Sequence, residues 1–217
     1  MSASLSLPVR QPRLRDQVYA SLREMVRFGT FPDGGAVEQD LSKQLGVSRT
    51  PVREALFQLC REGVLEDTGR GYRVPEVTRE AMQEIVELRL LIEPQAAAMA
   101  VNRADAPQIA AIAEQVRGEE AAYEAGDTQA FILHNSNFRT RLLKACGNTR
   151  LAQVLETLDD QIQRIRVATL SVRENQATTL DHHRAMCAAF EQRDEAAASD
   201  SMRRLLATAK SYYESKC

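Results

Sequence analysis

The sequence predicts a mainly α chain in two parts: a head of three helices closed by a small β-hairpin, then an all-α bundle of six or seven helices. Three observations carry that reading. Apolar residues recur at helical spacing through most of the chain, and only within residues 64–74 are the runs short enough for paired strands. Turn chemistry concentrates before Pro75, in Pro32-Asp33-Gly34-Gly35, at Gly46 and Gly63, and in Thr68-Gly69-Arg70-Gly71. After Pro75 glycine and proline thin out, alanine becomes abundant, and neither β-type alternation nor a tandem repeat is evident. The expected organisation is a flexible tail over residues 1–9, the head over 10–76 and the bundle over 77–217.

In the head, Leu14, Val18, Leu22, Met25 and Val26 mark an amphipathic first helix ending near Gly29. Residues 38–45 make a short second helix with Leu41 and Leu45 inward. Gly46 permits the left-handed backbone that closes it. Ser48 is suited to cap the next helix by accepting a hydrogen bond from an amide of its first turn. Pro51 fits that first turn, where no intrahelical donor is lost. Val52, Ala55, Leu56 and Leu59 then face a core, which leaves Arg49, Thr50 and Arg53 on the outward N-terminal side. That is where a helix-turn-helix touches base edges and phosphates. Gly63 stops the third helix. Residues 64–67 and 72–74 read as two strands around Thr68-Gly69-Arg70-Gly71, a wing able to lay Arg70 along phosphates or into the minor groove.

The run over residues 14–74 resembles the winged helix-turn-helix domain of the GntR family of bacterial transcription regulators. The residues that carry the resemblance are Leu41-Ser42-Lys43-Gln44-Leu45-Gly46-Val47-Ser48-Arg49-Thr50-Pro51-Val52-Arg53-Glu54-Ala55-Leu56, then Glu62-Gly63-Val64-Leu65 and Arg70-Gly71. The resemblance implies base or phosphate contacts from Arg49 and Arg53, and a close approach of the wing at Gly69. It places a further contact at Gln39, where the family often has a basic residue. Gln39, Ser48, Arg49, Thr50, Arg53, Gly69 and Arg70 are the expected DNA-binding set.

Composition sets looser bounds. A chain of 217 residues has room for two small domains. With 28 Lys+Arg against 30 Asp+Glu, net charge does not itself point to nucleic acid, so affinity must come from local placement of Arg49, Arg53 and Arg70, with Arg10, Arg13 and Arg15 as further candidates. No secretory signal or membrane-spanning run is evident, and Cys60, Cys146, Cys187 and Cys217 lack paired spacing; a cytoplasmic chain with reduced thiols is the expectation.

In the bundle, residues 78–92 are expected as one helix interrupted by Pro94, with an alanine-rich helix following to about Asn102. Asp105 caps a helix carrying Ile109, Ile112, Val116 and Tyr123 to Gly126. Asp127 caps another, carrying Phe131, Phe138, Leu142 and Leu143 to Gly147. Residues 151–165 read as one long helix, and helices over about 177–192 and 194–213 close the chain. Glu87-Leu88-Arg89-Leu90-Leu91-Ile92-Glu93-Pro94, Phe138 with Gly147-Asn148, and His183-Arg184-Ala185-Met186 ahead of Asp194 resemble the FadR-type (FCD) effector domain of the same family.

Many members of that subfamily hold a divalent metal with one Asp and three His. By the resemblance those positions fall on Asn135, Arg139, His183 and Leu205. A guanidinium does not ligate a metal and leucine has no donor atom, so no metal or other cofactor is expected. His134 and His182 are one step along their helices, about 100° away, and do not easily substitute. Arg139 suggests a replacement: a buried permanent cation needs a partner, which a carboxylate effector supplies by a bidentate pair. Asn135, one turn earlier, would orient that ligand, and Arg89 and His183 complete the expected effector set. The plainer readings stay open: Arg139 paired internally, His183 a hydrogen-bonded core histidine, and Arg89 an ordinary ion pair with Glu93 at i,i+4.

The expected function is a sequence-specific DNA-binding regulator, a homodimer that reads palindromic operator DNA and represses a metabolic operon under the control of a small organic acid. The alternative is an effector-independent or activating regulator whose helical half serves dimerisation. A metal-dependent enzyme using His182 and His183 lacks any His-Glu-x-x-His, paired cysteines, phosphate loop or nucleophile elbow.

Overall fold

The computed structural model describes residues 13–32, 34–76 and 78–216, with side chains to residue 212. The expected tail over 1–9, and Arg10, lie outside the described residues. The chain divides into two compact units between Pro75 and Glu76. Among the described residues no helix is long and apolar enough to cross a membrane.

The first unit contains α1 (Leu14–Arg27), α2 (Glu38–Leu45), α3 (Arg49–Arg61), β1 (Glu66–Asp67) and β2 (Tyr72–Arg73). Val18, Leu22, Val26, Leu41, Val52, Ala55, Leu56 and Leu59 close its core, as their spacing predicts. Leu14 does not join them. It stands in the first turn of α1, half exposed, beyond the reach of that core. The hairpin is shorter than expected. Val64 and Leu65 are buried in the core, and their amides bond back to the Leu59 carbonyl at 2.9 and 3.3 Å, so they close the end of α3 and do not pair with a strand. A further pairing was not foreseen: Ala36 and Tyr72 exchange both backbone hydrogen bonds at 2.8 Å, which ties the wing to the turn before α2. Gly71 has to be glycine for this, because a Cβ there would stand 2.8 Å from the Ala36 carbonyl oxygen.

The second unit is all helical: α4 (Arg79–Arg103), α5 (Ala106–Ala125), α6 (Thr128–Ala145), α7 (Thr149–Glu156), α8 (Asp159–Leu170), α9 (Arg173–Gln192) and α10 (Glu195–Lys216). Three boundaries depart from expectation. Pro94 interrupts nothing; α4 runs through it. The lost backbone bond is outweighed by helix-favouring alanines and by packing, since Ala96, Ala97, Ala100 and Val101 are buried where α4 lies along α10. The long helix expected over 151–165 is instead two. The Thr157 hydroxyl donates to the Val154 carbonyl at 2.7 Å, Leu158 turns out of helical geometry, and Asp159 and Asp160 open α8 at its positive end. Finally, α9 begins four residues earlier than expected, at Arg173.

The caps are those the sequence indicates for α5 and α6. Asp105 and Gln108 form a reciprocal capping box, and Asp127 accepts from the Ala130 amide at 2.9 Å. Between α9 and α10, Arg193 adopts left-handed backbone (φ +55°), unusual for a residue with a Cβ. Its Nη1 donates to the carbonyls of Val101 and Ala104 at 2.7 and 2.9 Å, satisfying acceptors at the end of α4.

Candidate nucleic-acid interface and ligand cavity

The turn into α3 is built as the sequence suggests. Gly46 takes φ +66° at the end of α2, and its amide and that of Val47 bond back to Lys43 and Ser42. Ser48 occupies the cap position of α3, yet its side chain makes no cap hydrogen bond. A capping hydroxyl accepts from the second or third amide of the helix; the third residue here is a proline with no N–H, which leaves only the Thr50 amide for it. Arg49, Thr50 and Arg53 are exposed on the outward side of α3, while Val52, Ala55, Leu56 and Leu59 are buried. The nearest countercharge to Arg53 is Glu38, 3.5 Å away at the start of α2. Both arginines thus project from a rigid helix whose other face is locked in the core.

Gln39 is exposed on α2, its carbonyl accepting from the Ser42 hydroxyl at 2.8 Å. In the wing Gly69 lies at φ +75°, its amide donating to Asp67 Oδ1 at 2.8 Å, and Arg70 at the tip is exposed. Thr68 braces the tip by accepting from the Arg70 amide and donating to the Gly71 carbonyl. Of the additional arginines, Arg13 is exposed at the position before α1, with no side-chain cap bond, and Arg15 pairs with Asp16 at 3.0 Å.

The second unit holds a cavity lined from five helices. It brings together Arg89, Asn135, Arg139 and His183, and also Leu205. Asn135, Phe138 and Arg139 share the inward face of α6 at i, i+3 and i+4, and Thr179 and His183 share that of α9. The side chains of Arg89 and Arg139 are only 9 % and 8 % exposed, so both cations need partners. Arg89 is fully engaged by Glu93, its Nε and Nη2 donating to the two carboxylate oxygens at 3.1 Å. Arg139 Nε donates to the same Glu93 at 3.0 Å, and its Nη1 to the partly buried Asp159 at 3.0 Å. Burial alone would push the Glu93 carboxyl up, but Arg89 and Arg139 together outweigh it and hold the pKa at about 2.

One residue that sequence reasoning missed stands beside this network. Arg166 on α8 is buried and lines the cavity; its Nη1 donates to Gln163 and to the Ser136 hydroxyl, both neutral. Burial, with the charges of Arg139 and Arg89, brings its pKa down to about 9. Its position could have been found: it falls among Ile162, Ile165 and Thr169, on the buried stripe of α8. Arg139 Nη2 and the Thr169 hydroxyl, both facing this region, are buried without a hydrogen-bond partner.

His183 Nδ1 lies 2.8 and 3.0 Å from the two oxygens of Glu119, itself fully buried, and its ring stacks on Phe138 with centroids 3.8 Å apart. The bond at Nδ1 fixes the ring and leaves Nε2 as its remaining polar atom. His134 is turned elsewhere, its Nδ1 3.1 Å from Gln115. The four positions that the resemblance gives to metal ligation do meet in the cavity, but their chemistry does not fit a divalent ion. A guanidinium and an isobutyl group stand where donors are required, and Asn135 and His183 are too few to hold it. Among the described residues no cluster of three or more His, Cys, Asp or Glu could hold a metal.

Residues 14–74 match the family described as bacterial regulatory proteins, gntR family, and residues 84–208 match the FCD domain. The chain belongs to the GntR family. This GntR protein is a DNA-binding transcription regulator with a winged head and an FCD domain. It is 29 % identical over 185 residues to the uncharacterized HTH-type transcriptional regulator YdhC of Bacillus subtilis, covering 84 % of this chain and 83 % of that one. It is 29 % identical over 203 residues to the HTH-type transcriptional repressor GlaR of Escherichia coli, covering 88 % and 91 %. The solved structure of E. coli McbR/YncC shares the fold, with a TM-score of 0.80 at 23 % identity over 95 % of this chain and 99 % of that one. These relatives are regulators of transcription, not enzymes.

Proposed function

We propose that this GntR regulator is a homodimeric repressor of a metabolic operon whose operator affinity is set by a small carboxylate bound, without a metal, in the cavity of the second unit. The observation that carries the reading is the unbalanced guanidinium chemistry of that cavity. Arg139 Nη2 is buried without a hydrogen-bond partner, and the buried Arg166 donates to the neutral Gln163 and Ser136. Leaving such groups uncompensated is costly, and a carboxylate satisfies both by charge-assisted hydrogen bonds. Asn135, Arg139, Arg166 and His183 are the contacts; Arg89 acts through Glu93 by holding it against Arg139. That the relative GlaR is a transcriptional repressor supports the sign of the response.

On the DNA side, Arg49, Thr50 and Arg53 read the major groove from α3, with Gln39 and Ser48 on nearby phosphates and Gly69 and Arg70 in the wing. The Ser48 hydroxyl supports its role because it makes no cap hydrogen bond within the helix. Arg53 exchanges Glu38 for DNA, a small loss for an exposed pair. A winged helix covers few base pairs, so two copies on a palindrome supply useful affinity. To release DNA, the effector must bind the non-DNA arrangement more tightly, with a coupling of about 1–3 kcal/mol.

The test pairs two measurements on the full chain: thermal stabilisation across a panel of organic acids, and binding to duplexes selected from a random pool. The expected result is an acid that raises Tm and weakens DNA binding after exhaustive chelation. An acid that strengthens DNA binding overturns repression by release; stabilisation that vanishes with chelator overturns the metal-free site.

A further inference from the structure

Resting on the carboxylate reading above, we infer that the cavity selects a monoanion with an apolar body and rejects dianions. The charge count decides the head group. Three buried guanidiniums, Arg89, Arg139 and Arg166, face two carboxylates, Glu93 and Asp159. One positive charge is left over. Glu119 stands outside this count: it does not line the cavity, and both its oxygens lie within 3.0 Å of His183 Nδ1. One negative charge therefore completes the site. A second carboxylate would enter a buried region with no cation left to receive it, and an unpaired buried charge is among the costliest arrangements in a protein.

The wall contributed by α10 decides the rest of the ligand. Apart from Thr208 it presents Met202, Leu205, Leu206 and Ala209, side chains with no donor for a second acid group. Leu205 occupies the position at which the resemblance would put a ligating histidine, so the polar demand of that wall has been replaced by an apolar one. Ile165 and Leu170 extend the same character from α8. A small acid thus sets its carboxylate against Arg139 and Arg166 and lays its carbon chain along α10, which gains from burying apolar area. Short aliphatic acids fit this description; dicarboxylates and inorganic phosphate do not.

The experiment is isothermal titration calorimetry of the full chain with acids matched in length, butanoate against succinate and hexanoate against adipate, with inorganic phosphate as a third class. The expected result is that each monoacid binds at least about tenfold more tightly than its diacid, with phosphate no better than the diacids. Leu205→Asn should narrow the ratio, and Arg166→Met should abolish binding of the monoacid while the chain stays folded by circular dichroism. A diacid or phosphate that binds as tightly as the monoacid overturns the selectivity and leaves the carboxylate reading standing. Should none of these acids bind, and none from the wider panel, both fall together.

Discussion

The two units of this GntR regulator place their arginines in opposite ways. In the head, Arg49, Arg53 and Arg70 are exposed and the apolar residues beneath them close an ordinary core. In the helical unit, Arg89, Arg139 and Arg166 lie inside, held by Glu93, Asp159 and neutral side chains. An exposed guanidinium keeps its hydration and costs the fold almost nothing. A buried one that finds a carboxylate makes that partner structural. One unit keeps its candidate arginines on a surface that folding does not need; the other packs them into its interior.

That contrast is broken most severely at Glu93. Glu93→Gln removes the shared anion of two buried arginines and is expected to destabilise the chain by about 3–5 kcal/mol, read as a shift in urea midpoint. Acid should do the same without mutation. The folded Glu93 pKa of about 2 lies below the unfolded value of about 4.3, so its stabilisation is present above that value and drains away as pH falls toward about 2. A thermal unfolding series down that window should fall more steeply for the native chain than for the glutamine variant. Equal slopes would mean that other carboxylates govern the acid response.

Arg166→Met sharpens the comparison from the other side. Replacing a buried cation that has no carboxylate with an apolar side chain should raise stability, by about 1–4 kcal/mol, while the response to effector disappears. A destabilised variant would show that Arg166 is structural. In the head, Arg53→Ala should cost about 1–3 kcal/mol of affinity for selected duplexes in a gel shift, with the thermal midpoint unchanged. A fall in both would contradict the separation of surface from core. The smallest effects concern caps. Asp105→Ala should cost about 1 kcal/mol through loss of its capping box, whereas Ser48→Ala should leave the unfolding midpoint almost in place and show itself in DNA affinity alone.

The head was legible because its residues obey local rules: Gly46 and the spacing of Val52, Ala55, Leu56 and Leu59 fix α3 with no help from distant contacts. The helical unit was legible in its caps and less so where packing overrules local preference. Pro94 looked like a break, yet the buried alanines after it keep α4 whole. The step between α7 and α8 depends on Thr157 and the two aspartates after it, a local competition that apolar periodicity does not register. Ser48 was placed at its cap correctly but credited with a bond it does not make; Pro51 removes one of the two amides that could have donated it. In the cavity, Asn135, Arg139 and His183 came from the resemblance and do converge. Arg166 escaped because a charged side chain on a helix is ordinarily assigned to solvent, and only its apolar neighbours betray which way it points.

Arg193 meets two requirements together, a left-handed turn and a long side chain that reaches back to α4. Glycine would relax the turn but supply no side chain to the carbonyls of Val101 and Ala104. The corner after α9 therefore works as a latch, with a left-handed residue at one end and the last carbonyls of α4 at the other. Because α4 carries Arg89 and Glu93 while α9 carries His183, that latch ties together two of the helices that line the cavity.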